Sequence, residues 1–157
     1  PCVHVSQYLR GFQDWYVDMA ADRALAGAVM DAVLDVNLAV FEDALVAVGD
    51  LIDVVAISDD VGTQRGPMVN PVTYRDVIKP RHKRTFDLLH ARTAAKIMYH
   101  TCGSVYQMLG DFVDIGVDAL NPVQVSAAEM DTARMKREWG DKLSFCPTAR
   151  RKRCGQR

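Results

Sequence analysis

The stretch AAKIMYHTCG, residues 94–103, decides how this chain is expected to fold. Its first eight residues form a short, mostly apolar run, bounded by polar residues, which is typical of a buried β-strand. The run ends in His100, Cys102 and Gly103, and a glycine after such a segment marks the start of a loop. The stretch therefore predicts a buried strand whose carboxyl end carries an imidazole and a thiol.

Three other segments have the same character, at residues 51–58 (LIDVVAIS), 117–122 (VDALNP) and 142–146 (KLSFC). Helical spacing of apolar residues is found at 6–22, 24–48, 72–78, 80–92, 104–116 and 126–140. Strands that alternate with helices at this spacing favour βα units and a parallel sheet, so the fold class is α/β. Four strands do not close an eight-stranded barrel. We expect either a small open sheet or a partial (β/α)8 TIM barrel.

The composition is that of an ordinary globular domain, and residues 1–146 are expected to form it. Residues 147–157 are predicted to be a separate basic tail, disordered or read out of frame. This tail holds five of the 19 Lys and Arg residues, so the rest of the chain has 14 basic and 20 acidic residues and a net charge of −6. This negative net charge of the main domain disfavours nucleic acid as a partner.

The four cysteines are widely spaced and form no CxxC motif, which favours a reducing compartment and a cytoplasmic location. No uninterrupted apolar run reaches the ~18 residues that a membrane span needs, so we expect no membrane association. The chain begins with Pro1 rather than an initiator Met, which predicts a fragment or a trimmed sequence.

The strand ends are where ligands are expected, because the loops at the carboxyl ends of parallel strands carry the functional groups of such folds. His100 and Cys102 are two residues apart, so both side chains are expected on the same face of their strand. Imidazole and thiolate are preferred zinc ligands. The alternative is structural, since a buried Cys packs like a small hydrophobe and most histidines are simply hydrogen-bonded.

Polar residues at the other strand ends are further candidates. Asp59 and Asp60 are predicted to be catalytic, holding a substrate hydroxyl or amine, although such residues also cap helices or face solvent. Gln64, Asn121 and Gln124 are predicted to bind substrate, with hydrogen bonds to loop backbone as the alternative.

Four segments resemble, in order, the uroporphyrinogen decarboxylase superfamily. They are GDLIDVVAISDDVGTQRGPMVNPVTYRDVIKPRHK (49–83), YHTCGSV (99–105), DIGVDALNPVQ (114–124) and KREWGDKLSF (136–145). The resemblance covers residues 8–145 and implies a (β/α)8 barrel of which this chain is the C-terminal half. The segment His-Thr-Cys-Gly is similar to the methyltransferase-like branch, in which a His-x-Cys pair binds zinc with a Cys from a later strand. This implies His100 and Cys102 as zinc ligands; neither Cys146, at the wrong interval, nor Cys154, in the tail, is assignable as the third.

The resemblance implies zinc-dependent methyl transfer between a corrinoid and a thiol, with a small-molecule substrate and a corrinoid protein as partner. One alternative is a decarboxylase that acts on a tetrapyrrole in porphyrin biosynthesis, without metal. Another is an inactive truncated product, whose open barrel edges would favour self-association.

Overall fold

A computed structural model describes residues 2–147 of the chain. Its four strands are β1 (Val54–Ser58), β2 (Lys96–His100), β3 (Ala119–Val123) and β4 (Ser144–Pro147). All three pairings are parallel, and the spatial order β1-β2-β3-β4 follows the chain. The predicted α/β class with four parallel strands is confirmed. Pro147 ends β4, and the rest of the predicted tail, 148–157, lies outside the described residues.

The described helices are α1 (Cys2–Arg10), α2 (Phe12–Ala21), α3 (Arg23–Val48), α4 (Pro71–Thr73), α5 (Lys79–Arg92), α6 (Leu109–Asp114) and α7 (Thr132–Trp139). A π-helical segment, Tyr74–Ile78, joins α4 to α5 without a break. The two helices predicted at 72–78 and 80–92 are therefore one continuous helical unit.

Three predicted helices have different bounds, and the one expected at 104–116 is shortened to α6, Leu109–Asp114. The single helix expected at 6–22 is divided at Gly11, whose φ of 87° lies in the region that favours glycine and interrupts helical geometry. The helix expected at 126–140 begins only at Thr132, because the Asp131 side chain accepts a hydrogen bond from the Arg134 backbone N–H and caps it there.

Helix α3 and the turn after it, Arg23–Leu51, are long and apolar enough to cross a membrane by length and composition, with a mean hydropathy of 1.7 over an 18-residue window. Asp31 and Asp35 interrupt this helix, so it holds no uninterrupted apolar run of that length, and a core helix meets the same test. The expectation of no membrane association stays a prediction. Two acidic side chains of α3 form ion pairs with α5: Asp31 pairs with Arg81, and Asp35 with Arg84. These ion pairs and the buried side chains of α3 fit a helix that packs against α5.

One face of the sheet packs against the helices that follow the strands. Ile97, Tyr99 and Leu120 are fully buried on this face. The ring of Tyr99 lies edge-on to Phe86 and Phe112, with centroid distances of 5.7 and 5.2 Å. These aromatic contacts fix α5 and α6 against β2 and so fix the position of the strand end that carries His100.

The opposite face of the sheet is arranged in rows across the strands. One row holds Ala56, Met98, Ala119 and Ser144, and the row nearer the carboxyl ends holds Ser58, His100 and Asn121. A doubly wound sheet reverses its strand order at a switch point, and this sheet does not. With sequential strands and helices against one face, the sheet is part of a (β/α)8 barrel, and these rows line its interior.

Candidate metal centre

Asp60, His100 and Cys102 come together at the carboxyl end of the sheet. Each offers one ligand atom, and these atoms all lie within 4.8 Å of one another. The Cys102 Sγ is 3.6 Å from the His100 Nε2. All three side chains are half-buried. His100 is the last residue of β2 and Cys102 lies two residues beyond it, so the imidazole and thiol come together at this strand end, and Asp60 joins them from the loop after β1.

The imidazole of His100 is held by the neighbouring strand. Its Nδ1 lies 2.8 Å from the Oδ1 of Asn121, the residue beside it in the same row. An amide oxygen only accepts hydrogen bonds, so this contact favours the tautomer with the hydrogen on Nδ1. The lone pair of the neutral ring is then on Nε2, which faces Cys102.

The backbone around Cys102 is held by two side chains from other loops. Its N–H donates to the Asp60 Oδ1 at 2.7 Å, and the N–H of Gly103 donates to the Gln124 Oε1 at 2.8 Å. Burial, together with the nearby charge of Asp60, raises the pKa of the Cys102 thiol. A cation bound between Cys102 and His100 would reverse this preference and favour the thiolate.

The loops after β1 and β2 are packed backbone against backbone. Gly103 has a φ of 87°, and a Cβ there would lie 2.6 Å from the Gly62 carbonyl carbon and 2.7 Å from the Thr63 nitrogen. Thr63 and Ser104 also form an isolated antiparallel bridge. Both the backbone angle and the close approach therefore require glycine at position 103.

We expect Gly103→Ala to destabilise the protein by more than the ~1–2 kcal/mol that a left-handed backbone conformation costs, because a steric clash adds to it. Urea unfolding measures this loss. Gly66→Ala is the matched control, since no heavy atom lies within 4 Å of a Cβ there and the backbone angle is permissive. Equal stability of the two variants would contradict the packing described.

Asp59 and Asp60 are adjacent but have different environments. The carboxylate of Asp59 is buried and accepts hydrogen bonds from the Val3 N–H at 2.8 Å and the His4 N–H at 2.9 Å. His82 Nε2 lies 3.1 Å from the same carboxylate. These contacts are all with other groups of the protein, and the predicted catalytic role of Asp59 stays a prediction.

The pKa of Asp59 is lowered overall. Burial alone raises it, but the hydrogen bond and charge of His82, with the two backbone N–H groups, favour the carboxylate more strongly. The Asp59 backbone also accepts a hydrogen bond from the Tyr99 hydroxyl at 2.6 Å, and its N–H donates to the His100 carbonyl at 3.0 Å. Asp59 thus joins α1, α5 and β2 directly below the candidate metal centre.

A second group of metal-ligand type, Cys2, Asp59 and His82, is fully buried. Burial and the charge of Asp59 raise the pKa of the Cys2 thiol, which opposes thiolate formation. His82 is held at both ring nitrogens, since its Nδ1 lies 3.3 Å from the Tyr74 hydroxyl. With the Asp59 oxygens already engaged, we interpret this group as a structural hydrogen-bond network.

The three residues predicted to bind substrate lie at different distances from the centre. Asn121 and Gln124 contact it directly, through His100 and the Gly103 N–H. Gln64 is exposed on the loop after β1, and its carbonyl accepts a hydrogen bond from the Ala128 N–H at 2.9 Å. Substrate binding by these residues stays a prediction.

Two residues near the centre were missed by the sequence analysis. His4 Nε2 lies 3.7 Å from the Asp60 Oδ2, and Ser58 occupies the same row as His100. Ser58 had a usable signal, because it ends a strand with the right alternation. His4 had none, since its position depends on how α1 docks against Asp59.

The fold and site describe a barrel-type α/β protein with a candidate metal centre at the carboxyl ends of its strands. The chain belongs to the uroporphyrinogen decarboxylase family, whose model, described as "Uroporphyrinogen decarboxylase (URO-D)", matches residues 3–143. No curated protein matches the chain.

Among solved structures, a methyltransferase from Methanosarcina mazei is similar, with a TM-score of 0.62 and 22% sequence identity. The match covers 80% of this chain and 35% of that protein, so the present chain corresponds to about a third of its length. At this identity the likeness supports the fold, which agrees with the partial barrel described above.

Proposed function

We propose that the chain contributes the metal-binding strand ends of a zinc-dependent enzyme that moves a methyl group between a corrinoid and a thiol. The observation that carries the proposal is the pairing of His100 Nε2 with Cys102 Sγ at 3.6 Å, with the other ring nitrogen held by Asn121. The similar fold of a protein named as a methyltransferase supports the choice of reaction.

The distance between the two ligand atoms fits a single zinc ion. Ligands at about 2.3 Å for sulfur and 2.0 Å for nitrogen, set at the tetrahedral angle, are about 3.5 Å apart. Among residues 2–147, Asp60 offers the third ligand atom of the cluster. Zinc accepts carboxylate oxygen as well as sulfur and nitrogen.

Zinc bound here would keep a substrate thiol as a thiolate at neutral pH while leaving it able to attack a methyl donor. In this proposal His100 and Cys102 bind the ion, and Asp60 fixes the Cys102 backbone. Three polar residues near the carboxyl ends of the strands are proposed to contact the small-molecule substrate: Gln64, Asn121 and Gln124. A corrinoid protein as donor, self-association through the open barrel edges and a cytoplasmic location are further parts of the proposal.

A decarboxylase that acts on a tetrapyrrole is the second candidate, and the description of the matching family favours it. Such a substrate carries several carboxylates, which basic side chains would bind. On the loop after β1 the basic residue is Arg65, whereas Asp59 and Asp60 are acidic. This charge balance favours the methyltransferase.

We expect the zinc-loaded chain to methylate a simple thiol from methylcobalamin, with formation of the thioether measured by mass spectrometry. The reaction should be lost in Cys102→Ser and retained in the control Cys146→Ser, whose side chain lies outside the cluster. Release of carbon dioxide from uroporphyrinogen, without thioether formation, would instead favour the decarboxylase. Turnover that is equal in Cys102→Ser and the unaltered chain would contradict the proposed role of this thiol.

A further inference from the structure

The hydrogen bond between His100 and Asn121 joins two residues that the sequence analysis assigned to different tasks. We propose that Asn121 is a positioning residue for metal binding, which acts through His100 by keeping the ring hydrogen on Nδ1. The inference rests on the proposed function only for the identity of the metal, since the state of the His100 ring is a property of the chain alone.

The contact is built into the sheet. His100 and Asn121 are register partners on β2 and β3, and the Asn121 carbonyl accepts the Thr101 N–H at 2.8 Å. The Asn121 Oδ1 lies 2.8 Å from His100 Nδ1. The same residue therefore holds both the backbone after His100 and the ring itself, which leaves the imidazole little freedom to turn.

The position of the ring hydrogen decides whether Nε2 can bind a cation. A neutral imidazole has one N–H, and the nitrogen without it carries the lone pair. With an acceptor beside Nδ1, the lone pair is on Nε2 and is directed to the side of Cys102. Without that acceptor the hydrogen is free to occupy Nε2, and it must then be displaced before an ion binds.

Asp60 and Gln124 hold the backbone around Cys102, the other proposed ligand. Both accept backbone N–H groups, one from Cys102 and one from Gly103, and these hydrogen bonds do not involve the His100 ring. Within the described part of the chain, Asn121 is the side chain hydrogen-bonded to Nδ1. The outer contacts of metal-binding histidines typically contribute 10–100-fold to metal affinity.

The test compares Asn121→Leu, which removes the acceptor at similar size, with Asn121→Asp, which retains an acceptor. Ser144→Ala, on the same face of the sheet but one row lower, is the control. The first readout is the ¹⁵N NMR spectrum of the ring nitrogens in the metal-free protein. The chain has four histidines, so the His100 signals are assigned by their loss in His100→Gln.

We expect the unaltered chain to show His100 protonated on Nδ1, and Asn121→Leu to lose that preference. Zinc affinity, measured by competition with a chromophoric chelator, should fall about 10–100-fold in Asn121→Leu. Asn121→Asp and Ser144→Ala should stay close to the unaltered value. Asn121→Ala, which adds no bulk, replaces Asn121→Leu if thermal unfolding shows that the latter is not folded.

Two results would overturn the proposal: a hydrogen on Nε2 in the unaltered chain, or the same tautomer in Asn121→Leu as in the unaltered chain. Failure of the metal assignment is a separate result. If the unaltered chain binds no zinc, the proposed function fails, whereas the NMR spectra still decide whether Asn121 sets the His100 tautomer.

Discussion

His100→Ala and Cys102→Ser are each expected to abolish stoichiometric zinc binding. Each variant removes one of the two ligand atoms whose separation, 3.6 Å, fits a shared tetrahedral ion. The loss should exceed the roughly 10–100-fold that is typical when only an outer contact is removed. The ligands come from one strand end with a fixed backbone, so another residue of the chain is poorly placed to replace either of them.

The measurement is the zinc content of the purified chain, followed by competition with a chelator of known affinity. Cys146→Ser is the matched control, because Cys146 is also a half-buried, free cysteine and lies on β4, which β3 separates from β2. It should retain full zinc content. Stoichiometric zinc in both His100→Ala and Cys102→Ser would refute the metal centre.

The proximity of His100 and Cys102 was predictable from sequence for a local reason. The side-chain period of a strand is two, so a His-x-Cys pattern at a strand end places both groups on one face wherever the strand packs. The strands themselves were located by their short apolar runs bounded by polar residues. What the pattern missed was local conformation: Gly11 interrupts a helix because of its backbone angle, and no apolar period reports that angle.

The different tasks of Asp59 and Asp60 depend on tertiary contacts, which is why adjacency in sequence suggested one shared role. Asp59 faces the first turn of α1, which is far from it in sequence, whereas Asp60 faces the Cys102 backbone. The contact of Asn121 with His100 depends in the same way on the register of β2 against β3. The sequence predicted that these residues lie at one end of the sheet, but it did not predict which groups their side chains contact.

Asp59→Ala is expected to lower the stability of the protein strongly, which is the second large effect. This variant leaves the buried Val3 N–H and His82 Nε2, and the partly buried His4 N–H, without their acceptor. Since a buried donor left unsatisfied costs about 1–3 kcal/mol, we expect a loss of about 2–4 kcal/mol in the free energy of unfolding. Asp60→Ala is the control of the same residue type, because Asp60 is half-buried and accepts a single backbone N–H. Asp60→Ala should lose about 1 kcal/mol in the free energy of unfolding.

The pH dependence separates the charge of Asp59 from its packing. Its pKa is lowered in the folded state, so the unfolded chain binds the proton more readily as the pH falls. The stability that comes from the charge is therefore complete well above the ordinary value of 3.8 and is lost as the pH falls through that value towards the lowered one. Urea unfolding of the unaltered chain and Asp59→Asn between about pH 7 and pH 3.5 measures it. We expect the difference in the free energy of unfolding between the two proteins to narrow at the acid end. A difference that stays constant, or widens, would show that the carboxylate charge does not stabilise this junction of α1, α5 and β2.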